Sequence, residues 1–321
     1  MKIIDFHCDT IYRMMELKMQ GKKVPELFKN DFHVDLVKMR QGQVAAQFFA
    51  LFMDQEELKR EGIELFSHFL EMVELFNDEI DKNPTVMKKA TGYQDLESNL
   101  NDNILSGFLG IEGGEALEGS YENLDRVYQE GVRLITLTWN YENELGYPSK
   151  DPMDRDKPLK AFGKETVKRM EEMGIMIDLS HLSDGGFWDV MQLTKTPVIV
   201  SHSNCRALKN HHRNLTDQMI RAIGEKGGVI GVNFAPYFLS GNEEVSRIDD
   251  LLRHMEHMIR CGGEDVVALG SDFDGITGSL EIKDAGTYQK LIEKMEVRGY
   301  HYDRIEKIAF KNAKRVIKEV L

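Results

Sequence analysis

In the stretch DFHCDT, residues 5–10, an imidazole and a carboxylate stand two positions apart, at His7 and Asp9. Four similar groups close short apolar runs further on: Glu112 in GIEGG, His181 in DLSH, His202 in VSHS and Asp272 in GSDFDG. Neutral imidazole suits zinc and related ions, and a carboxylate adds a hard, charged oxygen. An aspartate beside such a site can also carry a proton between reacting groups. Each motif alone is weak, because a His-x-Asp at the end of a strand is often a turn with a capping Asp. The chemistry depends on whether the fold gathers these residues.

Strand signals recur along the chain at KIIDF (2–6), QVAAQFFAL (43–51), ILSGFLGI (104–111), VRLITLT (132–138), IMIDLS (175–180), PVIVS (197–201), GVIGVNF (228–234) and VVALG (266–270). Amphipathic periodicity predicts helices between them, at 56–80, 123–131, 161–174, 216–227 and 248–263. Short, nearly all-apolar runs alternating with amphipathic helices describe a parallel sheet covered by helices. Eight such units predict an α/β fold, a single (β/α)8 TIM-type barrel spanning residues 1–321. Barrel active sites sit in the loops after the strands. Read only at those ends, strand 1 supplies His7 and Asp9, strand 3 Glu112, strand 5 His181, strand 6 His202 and strand 8 Asp272. Alternation along strand 1 turns Cys8 away from His7 and puts Asp5 one step deeper on the same face. There Asp5 either orients a ligand or serves as a structural hydrogen-bond acceptor.

Five ligands exceed the three that a single catalytic zinc usually takes. They suit two metals bridged by a carboxylate, held about 3.5–4 Å apart. Glu112 is the expected bridge, since it lies between the two groups and Gly113-Gly114 follows it. His7 and Asp9 would complete one metal, His181 and His202 the other. A water between two divalent ions loses a proton near neutral pH, as it does at about 7 on one zinc. The resulting hydroxide suits attack on an amide carbonyl. Asp272 can accept the attacking water's proton and hand it to the leaving amine. The alternative for Asp272, and the first reading of Asp274, is a helix cap or a Gly turn.

The 54 acidic residues against 41 basic give a net charge of −13, which repels phosphate backbones and argues against a nucleic-acid partner. No run approaches the roughly 18 apolar residues of a membrane span. A signal-peptide pattern is missing at the start, so none is expected. Cys8, Cys205 and Cys261 have no C-x-x-C spacing and read as free thiols of a reducing cytoplasm.

DFHCDT, FLGIEGGEAL, GVRLITLTWN, AFGKETVKRMEEMGIMIDLSH, VSHSNCRALKNHHRNLTDQMI and LGSDFDG resemble the membrane (renal) dipeptidase family, the M19 metallopeptidases of the amidohydrolase superfamily. The match is spread over the whole chain in family order. It implies a (β/α)8 barrel with two Zn2+ or other divalent ions. It further implies hydrolysis of dipeptides, including those with a C-terminal D-residue, and often a homodimer. By position the family's ligands fall on His7, Asp9, Glu112, His181 and His202, and its catalytic aspartate on Asp272. Its arginine after the sixth strand, which holds the substrate carboxylate, falls on Arg213 in HHRN; a guanidinium fork matches a carboxylate bidentately.

One position departs from the family. Where its fourth strand ends Leu-Thr-His-Asn, this chain has Trp139, and an indole can donate one hydrogen bond but cannot be protonated. Either Asn140 or Tyr141 takes over the missing contact, or the metals suffice, or the substrate differs; Trp139 packing at the rim is a further reading. The aperiodic stretch NYENELGYPSKDPMDRDKPL (140–159) is read as a wall or lid, with Trp139, Asn140, Tyr141 and Tyr147 as substrate contacts. Two other functions are compatible with the residues: hydrolysis of another amide or cyclic amide, and a non-catalytic binding protein that keeps barrel and metals.

Overall fold

Segments rich in Val, Ile, Leu and Phe, flanked by glycine and polar turns, are driven into a sheet that helices then cover. A computed structural model describes residues 1–321. Eight strands carry the fold: β1 (Ile3–Cys8), β2 (Val44–Phe52), β3 (Leu105–Glu112), β4 (Val132–Thr136), β5 (Met176–Asp178), β6 (Ile199–Ser203), β7 (Val229–Val232) and β8 (Val267–Leu269). Each pairs in parallel with the next, and β8 closes on β1 with Asp5 opposite Leu269. The predicted barrel is present.

Inside it, Phe6, Phe48, Phe108, Leu134, Met176 and Ile199 form a layer with no solvent access to speak of, and Phe48 stacks on Phe108 at 4.6 Å. Ala313, Val316 and Ile317 of the C-terminal helix (Asn312–Val320) join this cluster. A much larger apolar layer lies between the strands and the outer helices. With its interior filled, the barrel leaves only the rim for chemistry.

Several boundaries differ from the sequence reading. The expected helix 56–80 is two helices, Gln55–Glu61 and Leu65–Asp81, because Gly62 turns left-handed (φ 70°) and ends the first. The strand β1 runs on to Cys8, so His7 lies within it. The fourth strand stops at Thr136 rather than 138: the Leu137 carbonyl accepts from Gly114 N–H (3.2 Å) and from Asn143 Nδ2 (2.9 Å). A short strand, Met87–Lys89, pairs with the first half of β3, and Val245–Ser246 pairs with Ser279–Leu280 above the rim. No helix is long and apolar enough to cross a membrane.

Candidate active site

His7 on β1, Asp9 at the start of helix Thr10–Met19, Glu112 at the end of β3, His181 after β5, His202 on β6 and Asp272 after β8 converge at the C-terminal rim. All are buried. His181 (φ 67°) and Asp272 (φ 63°) adopt the left-handed conformation, which non-glycine residues rarely hold unless the surroundings force it. Glu112 divides its carboxylate between two groups. Its Oε1 lies 3.0 Å from His181 Nε2 and 3.3 Å from His202 Nε2; its Oε2 lies 3.6 Å from His7 Nε2. Asp9 Oδ2 and Asp272 Oδ1 approach His7 Nε2 at 3.3 and 3.8 Å.

The surrounding hydrogen bonds select the tautomers. Ser201 Oγ donates to Asp178 Oδ2 (2.5 Å), so its lone pair accepts from His202 Nδ1–H (2.8 Å). Asn140 Oδ1 accepts from His181 Nδ1–H (3.1 Å). Both rings are thereby left with bare Nε2 atoms, 3.1 Å apart and facing Glu112. Lone pairs and a carboxylate aimed at one point fit a divalent cation, with the outer Nδ1–H groups fixed as metal-binding histidines require. His7 Nε2 and Asp9 Oδ1 are buried without hydrogen-bond partners, a second mark of the same fit.

Electrostatics agree with this assignment. Burial, reinforced by Arg213, pushes His181 down to about 4, and burial with His7 holds His202 well below its usual range; both are neutral and able to ligate. Burial disfavours charge on His7, but Glu112 and Asp9 outweigh it and raise its pKa well above the ordinary value. Burial pushes Asp9 up to about 6 and Asp272 up to about 8, with neighbouring carboxylates adding to both. The three raised groups, His7, Asp9 and Asp272, favour protons that a cation seated there would displace.

The cluster opens into a cavity of about 280 Å3 lined by Asp9, Tyr12, Phe52, Glu112, Trp139, Asn140, Lys150, His181, Arg213, Tyr237 and Asp272, among others. That lies at the small end of ligand pockets, roughly 300–1,000 Å3. Arg213 is buried; its Nη2 donates to the His202 carbonyl (3.1 Å), while Nε has no partner. Trp139 is half-buried and packs at a tilt against Phe52 (4.6 Å). Tyr141 is not among the lining residues: it packs behind Trp139 at 5.3 Å. Tyr147 also stays out, its ring covered by Lys157 (4.3 Å) and Lys160 (5.1 Å). The stretch 140–159 is a pinned wall. Asn143 Oδ1 accepts from the Leu145 and Gly146 N–H groups, its Nδ2 donates to Glu115, and Ser149 N–H donates to the His181 carbonyl.

Asp5 is a structural acceptor. It takes hydrogen bonds from His7 N–H (3.2 Å), from Ser271 N–H and Oγ (2.9 and 2.6 Å) and from Tyr288 Oη (2.5 Å). Asp274 is likewise structural, accepting from Thr10 Oγ1 and His33 N–H, both 2.6 Å. Asn233, at the end of GVIGVNF, escaped the sequence reading. Its Nδ2 donates to Asp272 Oδ2 at 2.8 Å, which leaves Oδ1 toward His7. Reading strand ends for amides as well as acids and imidazoles would have found it. Asp178, in DLSH, was legible only as part of a strand. Gly275 has no side chain for a local reason: a Cβ there would meet Asp9 Oδ2 at 2.1 Å.

A second grouping, Asp217, His257 and Cys261, lies on the outer helices. Its His257 Nε2–H is committed to Asp217 Oδ1 (2.7 Å), so it lacks the bare, converging atoms of the rim.

A closed parallel barrel with imidazoles and carboxylates gathered at the C-terminal rim defines a metal-dependent hydrolase of the amidohydrolase type. The chain belongs to the membrane dipeptidase family, peptidase family M19, whose family model matches residues 1–321. It is 34% identical over 340 residues to an uncharacterized dipeptidase of Schizosaccharomyces pombe, covering 99% of this chain and 80% of that protein. It is 36% identical over 235 residues to an uncharacterized protein in the pqqA 5' region of Klebsiella pneumoniae, covering 70% of this chain and 86% of the other. Among solved structures it superposes with a TM-score of 0.91, at 26% identity, on a Rhodobacter sphaeroides metallopeptidase liganded with a phosphinate mimic of the dipeptide L-Ala-D-Ala. That match covers 100% of this chain and 99% of the other.

Proposed function

We propose that this metallopeptidase is a two-zinc dipeptidase that hydrolyses L-Xaa-L-Xaa and L-Xaa-D-Xaa dipeptides. The observation that carries the reading is the divided Glu112 carboxylate, with one oxygen toward His181 and His202 and the other toward His7. His7 and Asp9 would hold one ion, His181 and His202 the other, with Glu112 between them. When bound, the ions supply Lewis acidity and lower the pKa of water. The protein's own groups do the rest. Arg213, buried with a free Nε and lining the cavity, holds the substrate's C-terminal carboxylate. Asn233 fixes Asp272 through Oδ2, so that Oδ1 takes the proton of the attacking water and returns it to the leaving amine. Asn140 keeps the His181 ring in the ligating tautomer.

The phosphinate liganding the Rhodobacter relative mimics an L,D dipeptide, which supports tolerance of a D-residue at the C-terminal position. Three unpaired cysteines support a reducing, cytoplasmic setting. Metal analysis of the purified protein, combined with hydrolysis of L,L and L,D dipeptides, tests the proposal. About two equivalents of zinc and cleavage of both series are expected, with activity lost when the dipeptide's carboxylate is amidated. Metal-replete protein that cleaves none of them overturns the reading. Cleavage indifferent to amidation would point instead to another amide substrate.

A further inference from the structure

Four aromatic rings run in sequence along one side of the rim. Tyr12 meets Phe52 edge-on (4.9 Å), Phe52 meets Trp139 (4.6 Å), and Trp139 meets Tyr141 (5.3 Å). The first three line the cavity; Tyr141 backs them. They come from the helix after β1, the end of β2 and the loop after β4. Arg213 comes from the loop after β6, which in a closed eight-stranded barrel stands diametrically across from β2. The His and carboxylate cluster lies between the two sides.

This arrangement sets a direction. A dipeptide whose carboxylate meets Arg213 and whose amide lies over the cluster must send its N-terminal residue toward the rings. Aromatic faces reward large apolar side chains, through burial and through offset or edge-on stacking. Lys150, exposed and lining the same cavity, sits 5.5 Å over the Tyr141 ring and places positive charge at the mouth of this side. Glu16, Asp54 and Glu57 flank Tyr12 and Phe52 in the adjoining hollow and offset that charge, so the rings rather than a charge set the preference.

We propose that Tyr12, Phe52 and Trp139 form the subsite for the dipeptide's N-terminal side chain, and that it selects large apolar residues over small ones. The proposal rests on the dipeptidase reading above. Its test is kcat/KM for L-Phe-L-Ala, L-Leu-L-Ala and L-Ala-L-Ala with the zinc-loaded protein. The first two are expected to exceed L-Ala-L-Ala by about tenfold or more. In Trp139→Ala and Phe52→Ala the ratio of L-Phe-L-Ala to L-Ala-L-Ala falls toward one, and in the milder Trp139→Phe it is largely kept. Cleavage with a flat profile overturns the subsite alone, as does a ratio unchanged in both alanine variants. A Trp139→Ala enzyme that handles L-Phe-L-Ala better than the parent also overturns it, since the indole would then merely fill space. Failure to cleave any dipeptide overturns the dipeptidase reading and the subsite with it.

Discussion

Asp272 is held in a left-handed backbone conformation, tied by Asn233 through one oxygen and aimed at His7 with the other. Those constraints suit a proton carrier that must not wander. Asp272→Asn keeps the shape and removes the basic oxygen, so kcat is expected to fall by about 10²–10⁴-fold while bound metal stays at the parent level. A loss of metal instead would make Asp272 a ligand. The residue types at the site were legible in the sequence, because each closes an apolar run that had to be a strand. Their tautomers and orientations were not. Asn140 was read as a substrate contact, yet its oxygen is also the acceptor that orders His181. Tyr141, two residues along the chain from Trp139, does not line the cavity.

At the scale of elements, the wall 140–159 hangs on Asn143, and Asn143 bonds Glu115, a buried acid outside the cluster. Burial pushes the Glu115 carboxyl from 4.5 up to about 7. Since the folded state holds this proton more tightly than the unfolded chain, stability falls as pH rises from 4.5 to about 7, and the deficit persists above that. Glu115→Gln removes the ionisation. Its urea midpoint is expected to match the parent's at acidic pH and to exceed it above pH 7, by up to about 3 kcal/mol of stability. An equal difference at both ends would show that the acid does not titrate in that window. Strand and helix types were legible from periodicity, but the break at Gly62 was masked by the strong amphipathic pattern on either side of it. The early end of β4 could not be foreseen either, since what draws the Leu137 carbonyl away is Asn143, several residues further on.

Across the whole molecule, the barrel interior is sealed by aromatic and aliphatic layers, and the charged cluster sits above that seal. Buried carboxylates facing one another strain the native state, and ions that bind it alone relieve the strain. Chelation is therefore expected to lower the melting temperature and zinc to restore it. Ions at 100 times their Kd contribute about 2.7 kcal/mol per site, which corresponds to roughly 4 °C for one site at this size. An unchanged melting temperature, with metal removal verified, would mean that the cluster does not hold ions in the folded state. The sequence by itself determined the architecture and the composition of the rim. In an all-parallel barrel every strand's C-terminal end lies on one face, so chain order alone brings His7, Asp9, Glu112, His181, His202 and Asp272 together. Only the tertiary structure decided what stands beside them: Asn233 on Asp272, Asn140 on His181, and Phe52 against Trp139. Those contacts join segments far apart in the chain, and side-chain packing across a rim follows no periodicity that a linear pattern can display.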